Sequence, residues 1–182
     1  MPDNPPGQER LIRLSPGHAI KDFDCDDNDL NDFLLHESIN FANQLLAVTY
    51  ILENDQESIA FFSVLNDKIS IKEVVHPKIW ELFQSIFPSS KSLRSYPAVK
   101  IGRLAVNKNH KGKDIGTYII SYLIDSFLSN NKTGCRFITV DAYAKSLGFY
   151  EKCGFRYLTE KDSGKDTRLM YLDLYPYQSD QA

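Results

Sequence analysis

The sequence predicts an α/β fold in which helices flank a β-sheet. The first observation is a strand–loop–helix–strand unit over residues 98–142, where a basic, glycine-containing loop separates a β-branched run from a helical repeat. The second is a pair of apolar, β-rich runs, residues 45–52 and 58–65, which a polar turn joins as an antiparallel hairpin. The 182 residues are enough for one well-packed domain.

The central unit places its loop at the amino end of a helix. That helix is predicted because its apolar residues have the spacing of one buried face: Ile115, Ile119, Ile120, Leu123, Ile124, Phe127 and Leu128. Unpaired backbone N–H groups and the helix dipole favour an anion at such a position. The loop has neither the Lys-Ser/Thr ending of a P-loop nor GxGxxG spacing, so the spacing alone leaves the kind of anion open.

The strand of the central unit, residues 98–106, contains Gly102. A glycine weakens a strand unless the backbone must approach another group closely there. Two explanations stay open for Gly102, a crowded core and the close approach of a ligand.

The remaining predicted elements complete a single domain over residues 10–176. Strands are predicted at residues 10–14, 155–158 and 167–174, a helix from Leu30 onward, and a short helix within residues 143–154. Residues 66–97 are expected to form an irregular insert, which we interpret as a flap near the acceptor-substrate cleft. Its predicted short helix, after Pro77 and before Pro88, carries Ile79, Trp80, Leu82, Phe83, Ile86 and Phe87. Residues 1–9 and 177–182 are expected to be flexible.

The composition argues against a metal site. The acidic segment over residues 23–30 is interpreted as helix N-caps and charge that complements the helix dipole. It lacks the glycine and the distal Glu of a calcium loop. The histidines never fall at the intervals of a helical metal site, and no pair of the three cysteines has CxxC spacing, so no metal is expected.

The net charge of −3 is unevenly distributed along the chain. Residues 1–65 hold 3 Lys/Arg against 12 Asp/Glu, residues 66–113 hold 10 against 3, and residues 114–182 hold 8 against 9. The basic middle third is either ordinary solvated surface or a region that meets an anionic ligand. The sequence has no apolar run long enough to cross a bilayer, so a cytoplasmic protein with no membrane partner is expected.

Three segments together resemble a known family. They are PAVKIGRLAVNKNHKGKDIGT, ITVDA and FYEKCGF. Their order is similar to that of the GCN5-related N-acetyltransferases (GNAT), which transfer an acetyl group from acetyl-CoA to an amine. The glycine loop resembles the family's motif A, (Arg/Gln)-x-x-Gly-x-(Gly/Ala). Two positions depart from it: Lys111 stands where Arg or Gln is usual, and Asp114 stands where the first glycine is expected.

The resemblance implies a GNAT fold, with a central mixed sheet of six to seven strands, and a set of site residues. Backbone N–H groups of Leu104, Ala105 and Val106 would hold the pantetheine and polarise the thioester carbonyl. The pyrophosphate would be held by the loop and helix start, comprising Lys111, Gly112, Lys113, Asp114, Ile115, Gly116 and Thr117. Tyr150 matches the family's tyrosine that protonates the departing thiolate. For Asp141 two roles stay open, general base and cap of the next helix.

A finer resemblance concerns the acceptor. The segments FDCDDNDLNDFL and KIGRLAV look like a subgroup that includes toxins of bacterial toxin–antitoxin pairs, which acetylate the α-amino group of aminoacyl-tRNA. The expected partners are then an amine acceptor or aminoacyl-tRNA, a ribbon-helix-helix antitoxin, and a second copy in a homodimer. A non-catalytic acyl-CoA-binding module is a further alternative, because the carboxylate of Asp114 would repel a pyrophosphate.

Overall fold

The computed structural model describes residues 9–72, 74, 79–81, 85, 93–129 and 133–181. Its strands are β1 (Arg10–Arg13), β2 (Val48–Glu53), β3 (Ser58–Ser70), β4 (Ser95–Val106), β5 (Phe137–Tyr143), β6 (Arg156–Tyr157) and β7 (Thr167–Asp173). They form a seven-stranded sheet in the order β1-β2-β3-β4-β5-β7-β6. The predicted α/β fold with a sheet of six to seven strands is confirmed.

The helices lie between the strands in sequence. The α-helices are α1 (Asn28–Asp32), α2 (Ser38–Asn43), α3 (Ile115–Ser129) and α4 (Leu147–Lys152), and a π-helix, Phe33–Glu37, separates the first two. Short 3-10 helices cover Lys108–His110, Ala144–Ser146 and Tyr175–Gln181. Within the described residues, no helix has the length and apolar character needed to cross a membrane.

The first three strands form an antiparallel meander. Leu11 lies opposite Leu52 in the β1–β2 pair, and Ile51 lies opposite Phe61 in the β2–β3 pair. The hairpin predicted from residues 45–52 and 58–65 is confirmed, and β3 continues five residues further, to Ser70. Because Ile51 and Leu52 on β2 and Ile59, Phe61 and Phe62 on β3 are buried, this register is fixed by the core.

Backbone contacts group the described residues into two compact units. The first unit takes the chain up to Leu65 together with Ile101–Ser121, and the second takes the described parts of Asn66–Lys100 and 122–182. The core of the first unit includes Leu14, Phe23, Cys25, Phe33, Leu34, Ile51, Phe61 and Ala105. That of the second includes Ile69, Val74, Trp80, Tyr96, Ala98, Phe137, Leu158 and Tyr171.

Three local expectations differ from the structure or fall outside it. The helix predicted from Leu30 contains the π-helical turn, where the N–H of Ser38 donates to the carbonyl of Phe33, five residues back. Tyr175–Gln181 form a 3-10 helix, which overlaps the end, residues 177–182, that the sequence predicts to be flexible. In the insert, residues 79–81 and 85 are helical, whereas Pro77, Leu82, Phe83, Ile86, Phe87 and Pro88 lie outside the described residues.

Candidate active site

The basic loop, residues 107–114, meets the start of helix α3 in the first unit. Gly112 has a φ of +79° and nothing within 4 Å of the position a Cβ would occupy, so the backbone there is open to solvent. The N–H of Tyr118 donates to the carbonyl of Asp114 over 3.0 Å, which makes Asp114 the residue that opens α3. The N–H groups of Ile115, Gly116 and Thr117 are therefore those of the first helical turn, which have no partner within the helix.

Asp114 has a φ of +56°. This is the left-handed region that glycine occupies without steric cost and that Asp and Asn tolerate better than other residues. The position at which the family's motif carries glycine thus keeps a glycine-type backbone here, although its side chain is a carboxylate. The departure from the motif therefore changes the charge at this position, while the backbone keeps a conformation that glycine favours.

Two lysines of the loop are paired with an acidic turn, residues 24–27, that precedes α1. Lys108 Nζ lies 2.7 Å from Asp24 Oδ2, and Lys111 Nζ lies 2.7 Å from Asp26 Oδ2. Hydrogen bonds from Lys108, from the N–H of Asp26 and from Asn31 hold the pKa of Asp24 well below its ordinary value. The bond to Asp24 raises the pKa of Lys108 in turn.

Strand β4 carries the backbone groups predicted to polarise a thioester. Ala105 is buried in the core of the first unit, whereas Leu104 and Val106 are half-buried on the opposite side of the strand. The strand end is fixed by Asn107, whose N–H donates to the carbonyl of Ile59 over 2.8 Å. This fixed end leads directly into the basic loop.

Gly102 lies in a crowded part of the same strand. A Cβ at this position would lie 2.8 Å from Cδ2 of Leu65 and 3.2 Å from Oγ of Ser63. Of the two explanations that the sequence left open, the crowded core is therefore the one that the structure supports.

Tyr150 lies in the second unit, on helix α4, and is 6% exposed. Phe149 and Phe155 pack edge-on against its ring, with centroids at 5.0 and 5.2 Å. Burial, with a smaller contribution from Cys153, raises the pKa of the Tyr150 phenol, so the hydroxyl keeps its proton at neutral pH. Gly154, with a φ of +89°, ends the helix where a side chain would press on Tyr177 and Leu172.

Asp141 does not cap the helix that follows it. The cap position of the 3-10 helix Ala144–Ser146 is Tyr143, and no side chain caps it. The carboxylate of Asp141 instead pairs with Lys100, whose Nζ lies 2.5 Å from Oδ2. The capping alternative is therefore wrong, and the Asp141 carboxylate is held by a cation.

The structure shows polar partners that sequence reasoning missed. Thr139, two residues before Asp141 and 1% exposed, donates its hydroxyl to Asp67. The sequence assigns Asp24 and Asp26 only to helix capping and the helix dipole, whereas the residue that caps α1 is Asp27, whose side chain accepts from the N–H of Leu30. The opposite charge balances of residues 1–65 and 66–113 were the available signal for this pairing.

The predicted site residues fall into both units. Leu104–Val106 and Lys111–Thr117 belong to the first, and Tyr150 and Asp141 belong to the second. Within the first unit, Asn107 joins the end of β4 to the basic loop. Within the described residues, no group of His, Cys, Asp and Glu side chains is arranged to hold a metal ion.

Comparisons with solved structures show where this fold occurs. A tyrosine-to-phenylalanine mutant of KacT is 18% identical over 94% of this chain and 98% of that chain, with a TM-score of 0.77. AtaT complexed with acetyl-methionyl-tRNAfMet is 18% identical over 96% and 100%, with a TM-score of 0.77. AtaTR bound with acetyl-CoA is 16% identical over 96% and 98%, with a TM-score of 0.75. At these identities the likeness shows the fold.

AtaT is a toxin that has been solved with the C-terminus of its antitoxin AtaR, so the solved structures that share this fold include a toxin of a toxin–antitoxin pair. A comparison with curated protein sequences gives no match. A family model described as "Acetyltransferase (GNAT) domain" matches residues 46–157, well over half of the chain. The chain therefore belongs to the GNAT family and is an acetyl-CoA-dependent N-acetyltransferase.

Proposed function

We propose that this enzyme transfers the acetyl group to a primary amine by direct attack within a ternary complex. The observation that carries the proposal is Tyr150, a buried phenol set in the FYEKCGF segment. Backbone N–H groups of Leu104–Val106 would polarise the thioester carbonyl, and those at the start of α3 would face the pyrophosphate. The open backbone at Gly112 and the glycine-type φ of Asp114 fit such a ligand.

In the proposed reaction, the amine nitrogen forms a bond to the carbonyl carbon and the carbon–sulfur bond breaks. The Tyr150 hydroxyl gives its proton to the leaving sulfur, the amine gives up a proton to water, and the solvent returns a proton to the Tyr150 phenolate. An α-amine with a pKa near 8 is partly neutral at pH 7, so it can react without a strong base. This agrees with Asp141, whose carboxylate is engaged by Lys100.

We further propose aminoacyl-tRNA as the acceptor. The AtaT complex with acetyl-methionyl-tRNA is one support, since that enzyme has the same fold. The second is a basic surface in the second unit at the end of β3 and the start of β4. The N–H of Ile71 donates to the carbonyl of Arg94, and Lys68, Lys72 and Arg94 are exposed. Such side chains can contact phosphates without reading sequence.

The same proposal includes partners of the toxin kind. AtaT binds the C-terminus of AtaR, and we propose that an antitoxin, with ribbon-helix-helix architecture, restrains this enzyme in a comparable way. A homodimer is proposed as its working form. Growth arrest on expression, relieved by co-expression of a neighbouring small gene, tests the toxin assignment, and harmless expression of an active enzyme would contradict it.

The Tyr150→Phe variant tests the chemistry. We expect turnover to fall by about 10²–10⁴-fold, because a general acid is lost, with little change in the affinity for acetyl-CoA. Release of free CoA measures turnover, and mass spectrometry identifies acetylated tRNA, peptide or small amine. Tyr175→Phe, at a 58% exposed tyrosine, is the matched control. Unchanged turnover in Tyr150→Phe would remove this residue from the mechanism.

Calorimetry separates the enzyme from a non-catalytic acyl-CoA-binding module. The enzyme is expected to bind acetyl-CoA and release CoA when an acceptor is added. Tight binding without release, across aminoacyl-tRNA and a broad panel of amines, would favour the binding module.

A further inference from the structure

The acidic turn, residues 24–27, binds the basic loop through two lysines. Lys108 is bound twice to Asp24: its N–H donates to the Asp24 carbonyl over 2.7 Å, and its Nζ donates to Oδ2 over 2.7 Å. Lys111 is also bound twice, with Nζ 2.9 Å from the Cys25 carbonyl and 2.7 Å from Asp26 Oδ2. These partners are 84 to 86 residues apart in sequence, so the contact is purely tertiary.

The acidic turn is itself rigidly built. Asp24 Oδ1 accepts from the N–H of Asp26 over 2.9 Å and from Nδ2 of Asn31 over 3.0 Å. Asn31 Oδ1 in turn accepts from the N–H of Cys25 over 3.0 Å. Phe23 and Cys25 are buried in the core of the first unit, and their packing holds the turn against that core. A fixed turn can therefore fix the loop that it binds.

The ion pairs of Lys108 and Lys111 also reduce the positive charge that the basic loop presents to an anion. Lys108 and Lys111 each have a carboxylate at 2.7 Å, so their charges are compensated locally. Lys113 is different, since its Nζ is 3.4 Å from Nδ1 of His110. The backbone N–H groups at the start of α3 need no charged side chain in order to bind a phosphate.

We propose that Asp24 and Asp26 are positioning residues for the basic loop. They hold Lys108 and Lys111 in two ion pairs, here called struts, that connect the basic loop to the acidic turn. The pyrophosphate is then bound by the backbone N–H groups that these ion pairs position. Lys111, at the motif position where Arg or Gln is usual, serves the structure of the loop through Asp26 and Cys25. This inference rests on the proposed function, in which the loop binds acetyl-CoA.

A double-mutant cycle on the full chain distinguishes a strut from a phosphate ligand. Asp26→Asn and Lys111→Met are each expected to weaken acetyl-CoA binding by about three- to fivefold, and the double variant no more than either one, because both remove the same contact. If Lys111 bound phosphate directly, Asp26→Asn would release it and tighten binding. Tighter binding in Asp26→Asn, or losses that multiply in the double variant, would overturn the proposal.

Two further measurements separate positioning from general damage to the fold. At saturating acetyl-CoA, kcat and the KM for the acceptor are expected to stay at their wild-type values in Asp26→Asn, while the KM for acetyl-CoA rises. Amide hydrogen exchange over residues 108–117 should speed up in the strut variants. Lys113→Met removes a loop charge without removing a strut, so exchange there is expected to remain as in the wild type.

The exchange measurement also keeps this inference distinct from the proposed function. If the wild-type protein fails to bind acetyl-CoA, the proposed function fails, whereas faster loop exchange in Asp26→Asn still reports the strut. If the wild type binds acetyl-CoA and the strut variants show neither faster exchange nor weaker binding, the strut is overturned and the proposed function stands.

Discussion

Asp114 shows how one residue can keep the backbone of a motif while changing its charge. Its φ of +56° is the conformation for which glycine is usually required, and an aspartate can adopt it at modest cost. A carboxylate near the amino end of a helix is favourable to the helix dipole but unfavourable to a bound anion. Helix stability and cofactor affinity are therefore opposed at this position.

Replacement of Asp114 separates these two effects. Asp114→Asn and Asp114→Gly both tolerate positive φ and both remove the charge, so each is expected to tighten acetyl-CoA binding by about two- to fivefold. Calorimetry measures the affinity, and thermal unfolding measures the stability. Asp114→Ala is the control, since it removes the charge but resists this φ and should lower the Tm more than Asp114→Asn. Weaker binding in both charge-free variants would show that the carboxylate supports the site.

At the scale of elements, a buried carboxylate joins β1, β2 and the segment between β1 and α1. Glu53 is 1% exposed and accepts hydrogen bonds from Arg10 on β1, from Nζ of Lys21 at 2.9 Å, and from Nε2 of His18 at 3.0 Å. Burial by itself would raise the pKa of Glu53, but the bonds from Lys21, His18 and Arg10 outweigh it and hold this pKa below its ordinary value.

The lowered pKa of Glu53 fixes the sign of a pH effect. The native state favours the ionised carboxylate, so its contribution to stability is present above the unfolded-state pKa near 4.5 and is lost as the pH falls through the lower native-state pKa. Glu53→Gln should lower the free energy of unfolding by about 3 kcal/mol at pH 7. Below pH 4.5, the free energy of unfolding of this variant should decrease less with falling pH than that of the wild type. Urea unfolding between pH 3 and pH 7 measures both effects.

Asp55→Asn is the matched control, because Asp55 is an exposed partner of Arg10 at 3.3 Å. Its loss should cost less than about 1 kcal/mol. If Glu53→Gln and Asp55→Asn lower the free energy of unfolding equally, the burial of Glu53 does not strengthen its contribution to stability.

At the scale of the whole molecule, the opposite charges of distant segments meet within the first unit. Acidic side chains of residues 1–65 pair with basic side chains of residues 101–113, in Asp24–Lys108, Asp26–Lys111, Asp29–Arg103 and Glu57–His110. Three of the ten Lys/Arg residues in the basic middle third, Arg103, Lys108 and Lys111, therefore have an acidic partner from residues 1–65. Lys68, Lys72 and Arg94, which are exposed, form the basic surface that we propose for an anionic partner.

Charge reversal on that surface tests the proposed acceptor. Lys72→Glu combined with Arg94→Glu is expected to lower kcat/KM for aminoacyl-tRNA and to reduce the slope of log affinity against log salt by about 2. Activity with a small amine should be unchanged. Lys161→Glu with Lys165→Glu makes the same change in net charge on another exposed turn. Equal losses in the two double variants would mean that net charge alone, and no particular surface, governs tRNA binding.

Much of the fold could be predicted because each element carries a local pattern. Helix α3 was predicted over residues 115–128 and runs to Ser129, and β5 was predicted within one residue of its observed end. The strand order could not be predicted in this way, because β7 lies between β5 and β6 and no local sequence pattern determines which strands are neighbours. The π-helical turn at Phe33–Glu37 was missed because its apolar residues partly fit the ordinary helical repeat.

The sequence by itself determined the family, the basic glycine loop and the FYEKCGF helix, because these depend on residues that are close together in the chain. The tertiary structure alone decided the partners of the charged groups. Asp141 pairs with Lys100, and Lys111 with Asp26, across separations that a linear pattern does not record. Ion pairs act through distance in space, so the same carboxylate could be a base, a cap or a strut until the fold brought a cation to it.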